Sequence, residues 1–158
     1  MAGHRGLNRI CAMSARETDH DARALARIRD VCLRFPEADE AELQGRPLFH
    51  VHRRRFALFN GDGSPPRPRW DGSGRSVHFL TDAHEREALR QDPRFMASPH
   101  HGDRGWMALD LGCCDDIDWG EVAELLETSY RLVAPRRLVA ALDARRDRGR
   151  RRPPRPAP

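Results

Sequence analysis

The sequence predicts an α+β fold in which an antiparallel β-sheet is packed on one side by N-terminal and C-terminal helices. Apolar residues recur at helical spacing near both ends of the chain, and they alternate at strand spacing in between. The segments follow in the order helix, clustered strands, short helix, strand, helices, which is typical of α+β rather than α/β proteins. A length of 158 residues fits one domain with polar extensions.

The expected organisation has three parts. Residues 1–16 contain arginines and no acid, and they lack the apolar stretch of a secretory signal, so we expect a flexible N-terminal extension. Residues 17–143 form the α+β domain. Residues 144–158 are rich in arginine and proline, a composition that cannot form a packed core and that predicts a disordered tail.

The first predicted helix begins near Thr18 and Asp21, which resemble a capping box, and ends at Pro36. Its apolar stripe consists of Leu25, Ile28, Val31, Cys32 and Phe35.

Three strands are predicted next. In the first, Leu48, His50 and His52 share one face and Phe49 and Val51 share the other. The second and third contain Phe56, Leu58 and Phe59, and Val77 and Phe79. The stretch NGDGSPPRPRWDGSG between the second and third strands predicts a long loop, because it is dense in glycine, proline and serine.

The second half alternates short helices with one strand. Asp82–Gln91 predicts a helix with Asp82 and Glu85 as a capping box, and Trp106–Leu111 predicts a strand that Trp106 anchors. A longer helix starts at the capping box of Asp118 and Glu121, and one or two further helical turns follow Pro135.

The formal net charge of +4 conceals a strong asymmetry. The last fifteen residues contain seven arginines and one acid, a net of +6, whereas the other 143 residues contain 21 arginines and 23 acids, a net of −2. No apolar run reaches the roughly 18–20 residues of a membrane helix. Four cysteines without CxxC spacing favour reduced thiols, so we expect a cytoplasmic protein.

The segment from Arg46 to Arg75 is the first candidate site, since it contains seven arginines and only two acids. Arginines on such a hairpin could bind DNA phosphates, and Trp70 could stack on the bases or insert between them. Alternatively, the hairpin is a solvated sheet edge whose charges prevent edge-to-edge aggregation. The candidate nucleic-acid contacts are Arg53, Arg54, Arg55, Arg67, Arg69, Trp70 and Arg75. From Asp110 to Glu127 there are seven acids and no arginine, so any DNA contact must be one-sided.

The segment PHHGDRGWMALDL supplies an alternative site. His100, His101, Arg104 and Trp106 could line a groove beside the sheet, which would take a small anionic ligand or a protein partner. The alternative function is therefore a small-ligand or protein-interaction module.

No catalytic residue, metal site or cofactor is predicted, and the protein is expected to be a non-enzymatic monomer. Three histidines, His50, His52 and His78, could converge, but neither HExxH nor a comparable ligand spacing occurs. Ser98, His100 and Asp103 are too close in sequence to imply a triad, and GxSxG is absent. Cys32 lies on an apolar helix face, which favours a buried, inert thiol.

Four motifs resemble the MmcQ/YjbR family of small bacterial proteins: CLRFPEADE, LFHVHRRRFALF, DPRFMASPHHGDRGWMALDL and LLETSYRLVAPRRL. The resemblance spans Asp21 to Leu142. It implies a frataxin-like α+β fold of the double-wing type and a DNA-binding role. The chain departs from the family pattern in its long insertion from Gly61 to Gly74 and in the loop from His100 to Gly105.

Overall fold

The computed structural model describes residues 5–61, 74–99, 101–112 and 116–150, and it confirms the α+β class. Four helices and six strands lie in these ranges. The helices are α1 (Arg5–Cys32), α2 (Ala83–Leu89), α3 (Trp119–Val133) and α4 (Arg136–Arg150), with a 3-10 turn at Gly102–Arg104. The strands are β1 (Ala38–Leu43), β2 (Arg46–Val51), β3 (Arg54–Asn60), β4 (Ser76–Leu80), β5 (Phe95–Ala97) and β6 (Trp106–Asp110). No helix in these ranges is long and apolar enough to span a membrane.

The six strands form one sheet in the order β1-β2-β3-β4-β6-β5, and every neighbouring pair is antiparallel. β1 and β5 are therefore the edge strands. The arginine-rich hairpin of β2 and β3 lies inside the sheet, so its charges do not protect a sheet edge. The edge strand β1 is protected instead, because its acidic side chains disfavour pairing with a strand of another chain.

The helices cover one face of the sheet, as predicted. α3 packs across β3 and β4, and α1 packs beside α3. Ile28, Phe49, Phe79 and Leu126 are almost completely buried in the core between these layers. Burying a side chain of this size contributes about 1.5–3 kcal/mol, so the helical face supplies most of the hydrophobic stabilisation.

A β-bulge between β2 and β3 adapts the sheet to this core. Phe49 pairs with Ala57, but the next residue, His50, pairs with Arg55. Phe56 is the extra residue and joins Ala57 in the helical core. Arg55 shares the opposite sheet face with His50, because residues paired across two strands lie on the same face.

Two helix starts follow the predicted capping pattern. Asp82 Oδ1 accepts hydrogen bonds from the backbone N–H groups of His84 and Glu85, both at 2.9 Å. Asp118 Oδ1 accepts from Gly120 and Glu121 at 2.9 and 3.1 Å. Each carboxylate satisfies donors that the first helical turn leaves free.

Both terminal helices are longer than the sequence patterns predict. α1 already begins at Arg5, so Thr18 and Asp21 lie within the helix rather than at its cap, and most of the expected flexible extension is helical. α4 continues through residues 144–150, which we had expected to be disordered. Alanine and arginine favour helix strongly, and no proline interrupts this stretch before Pro153. Residues 151–158 lie outside the described ranges.

Trp106 begins β6 on the sheet face opposite the helices. Its side chain is buried and packs with Leu48 and Leu58 in a second, smaller apolar cluster. The expectation that it is a structural anchor agrees with this position.

The antiparallel register places each turn or loop between strands at one of the two ends of the sheet. At the turn end lie the β2–β3 turn, the start of β1, the end of β4 and the start of β6. At the loop end lie Gly61, Gly74 and the end of β6. The seven residues of β3 separate the two ends by about 20 Å.

Candidate nucleic-acid interface

Three consecutive arginines occupy the turn end of the sheet. Arg53 lies in the β2–β3 turn, and Arg54 and Arg55 begin β3. All three are exposed. Arg54 pairs with Val51 and Arg55 with His50, so these two side chains start from opposite faces of the sheet. None of the three forms an ion pair with a carboxylate in the described part of the chain, which leaves their charges available.

The turn that holds these arginines has two residues in the left-handed conformation. His52 has φ 48° and Arg53 has φ 63°, the pattern of a two-residue type I′ hairpin. The sequence pattern placed His52 on a strand face with His50, which is wrong, because His52 is the first turn residue. Such a tight turn gives the arginines a fixed backbone.

Glu37 joins this turn to α4. Its Oε1 accepts from Arg137 Nη1 at 2.7 Å, and its Oε2 lies 3.0 Å from Arg137 Nη2 and 2.6 Å from His52 Nε2. These cationic neighbours lower the pKa of the Glu37 carboxyl from its usual 4.5 to about 2, chiefly through the hydrogen bonds from Arg137. The position of Glu37 depends in turn on the core, because the buried Tyr130 hydroxyl donates to Pro36 O at 2.7 Å.

The start of α4 therefore extends the basic surface beyond the predicted hairpin. Arg136 and Arg137 are both exposed there, and Arg137 lies within 3.1 Å of His52. We use the name arginine surface for Arg53, Arg54, Arg55, Arg136 and Arg137. Sequence reasoning missed the two residues of α4, because nothing local indicates that position 137 folds back against position 37.

Arg75 does not belong to this surface. It lies at the loop end, where its Nε contacts Asp21 Oδ1 at 2.6 Å and its Nη1 contacts Leu111 O at 3.4 Å. Its side chain is only 20% exposed. The ion pair ties β4 to α1, which is a structural role. Arg67, Arg69 and Trp70 lie outside the described residues; Gly61 and Gly74, the described residues on either side, lie at the loop end.

The acidic segment begins at the same loop end. Asp110 ends β6, and Asp118 caps the start of α3. Glu121 receives bidentate contacts from Arg94 at 2.8 and 3.1 Å. Asp110 and Asp118 therefore lie toward the end of the sheet opposite the arginine surface.

The loop before β6 lies at the turn end, close to the arginine surface. His101 and Trp106 are in ring contact, with centroids 6.0 Å apart, and Arg104 is exposed. Trp106 itself is buried, so it supports this loop rather than lining an open groove. His100 lies outside the described residues.

Arg86 of α2 packs against this loop, although no sequence pattern predicted a role for it. A Cβ built on Gly105 would lie 3.0 Å from Arg86 Nη2, so the glycine leaves room for the guanidinium. Gly105 has φ +88°, a conformation that favours glycine in any case. Arg86 is half-buried, and its Nε is buried without a hydrogen-bond partner in the described structure.

The three histidines of the sheet do not converge. His52 contacts Glu37, and His50 lies on β2 with β3 between it and β4. His78 is buried between two serines, with Nε2 3.1 Å from Ser76 Oγ and Nδ1 3.0 Å from Ser98 Oγ. Within the described ranges no cluster of His, Cys, Asp or Glu could hold a metal ion.

Cys32 is buried in the helical core, and burial raises the pKa of its thiol well above the usual value. A thiol in this setting is a poor nucleophile, as the sequence predicted. Cys113 and Cys114 lie outside the described residues.

One comparison with known proteins identifies a family for this chain, and another identifies a similar fold. A family model described as YjbR matches residues 33–132. A similar solved structure is that of Deinococcus radiodurans protein DR2400, described as a DUF419 domain. Its TM-score is 0.54 at 21% identity, over 73% of this chain and 85% of that chain. At this identity the likeness concerns the fold alone. No curated protein matches the chain.

Proposed function

The chain belongs to the YjbR family, and we propose that it is a non-enzymatic module that binds the phosphate backbone of DNA through the arginine surface. The observation that carries this proposal is the exposed triplet Arg53, Arg54 and Arg55, which forms no ion pair with a described carboxylate although the domain is rich in acids. Single exposed arginines are common, but three at one tight turn concentrate positive charge at one end of the sheet.

Phosphate groups fit this chemistry better than base edges do. The guanidinium group presents a planar fork of donors that matches two phosphate oxygens. Contacts of this kind position a protein on nucleic acid without reading its sequence. The position of Asp110 and Asp118 supports the same conclusion, since carboxylates at the loop end repel a polyanion there. We propose that the protein acts in this way as a cytoplasmic monomer.

A mobility-shift experiment with an arbitrary duplex tests the proposal. Each phosphate contact contributes about one to the slope of log affinity against log salt, so Arg53→Ala/Arg54→Ala/Arg55→Ala should reduce the slope by about 2–3. The loss of affinity should be similar on unrelated sequences. Arg46→Ala is the matched control, because Arg46 lies at the loop end of the same hairpin. Absence of a wild-type complex at low salt would refute DNA binding.

Binding of a small anion at the loop before β6 is the second candidate function. The exposed Arg104 and the half-buried Arg86 favour it, since both lie on or against this loop. A ligand that binds only the folded state raises the melting temperature. An anion screen in which no compound shifts that temperature would count against this candidate.

A further inference from the structure

Arg86 is the partly buried arginine of the described residues whose Nε is buried without a hydrogen-bond partner. Arg75, Arg94 and Arg131 each contact at least one carboxylate. Arg86 forms no ion pair in the described part of the chain, and its buried Nε donates to no described acceptor. A buried donor that lost its bonds to water is costly, and the cost is greater for a charged group. Such a group calls for an explanation, and a bound anion is one.

The nearby carboxylates do not supply the missing charge. Asp82 is occupied by the backbone N–H groups at the start of α2. Glu85 is adjacent in sequence, but it forms no ion pair with Arg86 in the described structure; burial, and then the charge of Asp82, raise its pKa. Asp103 is exposed on the 3-10 turn and does not pair with Arg86 within ion-pair distance.

The surroundings of Arg86 favour an oxyanion. Its Nη2 lies over Gly105, and the preceding residue, Arg104, adds a second exposed guanidinium to the same loop. β4 separates β6 from β3, so the start of β6 lies about 10 Å from the start of β3, at the same turn end. Phosphate is an oxyanion that suits both the loop at Arg86 and the nearby arginine surface. A guanidinium binds phosphate bidentately, and the nucleic-acid backbone carries one phosphate per nucleotide.

We propose that Arg86, assisted by Arg104, binds a phosphate group at the loop before β6. The phosphate can come from a small phosphate ester or from the nucleic-acid backbone, and the chemistry of recognition is the same. For the backbone source, the inference rests on the proposed binding of DNA; for the small ester, it rests on the second candidate function, which it narrows from an anion to a phosphate.

The experiment compares Arg86→Gln with Arg90→Gln in two measurements. Arg90 is one helical turn away, exposed and 3.6 Å from Glu87, so both variants remove one charge from the same element. The first measurement is the rise in melting temperature that inorganic phosphate causes at constant ionic strength. We expect about 2–4 °C for wild type and Arg90→Gln at several times the dissociation constant, and a much smaller rise for Arg86→Gln.

The second measurement is duplex affinity across a salt series. If the phosphate belongs to nucleic acid, Arg86→Gln lowers the salt slope by about one and Arg90→Gln does not. If only the thermal response is lost, the source is a small ester. The proposal is overturned when Arg86→Gln and Arg90→Gln behave alike in both measurements. Failure of the arginine surface would instead appear in the Arg53–Arg55 variant.

Folding of the variants has its own control. Arg86→Gln removes a poorly compensated charge, so its melting temperature without phosphate should equal or exceed that of wild type. Arg86→Lys keeps the charge but loses the planar fork, and it should retain less than half of the phosphate response.

Discussion

The carboxylate of Glu37 partly neutralises the positive charge at the turn end. Its carboxylate contacts Arg137 twice and His52 once, so it engages two of the side chains nearest to the exposed triplet. A carboxylate in this position makes the kind of contacts that a bound phosphate would make. The residue therefore links the stability of the turn to the strength of the proposed interface.

Replacing Glu37 should change the acid stability of the protein. The pKa of Glu37 is lowered to about 2 in the folded state, against a usual value of 4.5. A lowered pKa stabilises the fold above pH 4.5, and the stabilisation is lost as the pH falls from about 4.5 to about 2. Glu37→Gln should therefore flatten the dependence of the free energy of unfolding on pH in this interval, as measured by urea denaturation.

Glu124→Gln is the control for this titration. Glu124 is exposed on α3 and forms no ion pair in the described part of the chain. If the two variants have the same pH dependence, the contacts of Glu37 with Arg137 and His52 do not persist in solution.

At the scale of elements, the two hairpin turns have the same backbone conformation but different residues at the positions with positive φ. Gln44 and Gly45 have φ 53° and 78° in the β1–β2 turn, whereas His52 and Arg53 have φ 48° and 63° in the β2–β3 turn. Glycine adopts positive φ without cost, but a residue with a Cβ does not. The β2–β3 turn thus places an arginine where stability alone would favour glycine.

Arg53→Gly and Arg54→Gly should accordingly have opposite effects on stability. Arg53→Gly relieves the positive φ and should raise the free energy of unfolding by up to about 1 kcal/mol. Arg54→Gly places glycine in a strand and should lower that free energy by about 0.5–1 kcal/mol. Urea denaturation measures both values. Each variant removes one guanidinium of the arginine surface, so both should weaken duplex binding. Destabilisation by Arg53→Gly would show that the turn is not strained.

Elements with strong apolar patterns could be predicted from the sequence, and elements without them could not. β1 reads ADEAEL, which has no apolar face, and its residues are exposed or half-buried. It is a strand because its backbone pairs with β2 along six residues, a long-range cause that no local pattern contains. β5 has only three residues, too few for a period to emerge.

The same distinction applies to the candidate site. The triplet Arg53–Arg55 could be found because charge and hairpin pattern coincide in sequence. Arg75 was grouped with it, although the register places Arg75 at the other end of β3, against Asp21. Arg86 was missed, since its burial depends on a glycine 19 positions away in sequence.

At the scale of the whole molecule, the arginine surface and the first acids of the segment from Asp110 to Glu127 lie at opposite ends of the sheet. The arginine surface lies at the turn end, and the start of the acidic segment lies about 20 Å away at the loop end. This separation exceeds the Debye length of about 8 Å at 0.15 M salt but not the length of about 30 Å at 0.01 M. Acids at the loop end should therefore influence a polyanion at the turn end only when the salt concentration is low.

Two variants that each remove one acid test this separation. Asp116 is exposed just before α3 at the loop end, and Glu37 lies at the turn end. Asp116→Asn should raise duplex affinity at 0.01 M salt and leave it unchanged at 0.15 M, because screening removes the repulsion. Glu37→Gln should raise duplex affinity by about twofold to fivefold at both salt concentrations. The reason is that it releases Arg137 and His52 for direct phosphate contacts, which salt screens less. Equal gains from both variants at 0.15 M, in fluorescence anisotropy with a labelled duplex, would mean that the bound DNA is not confined to the turn end.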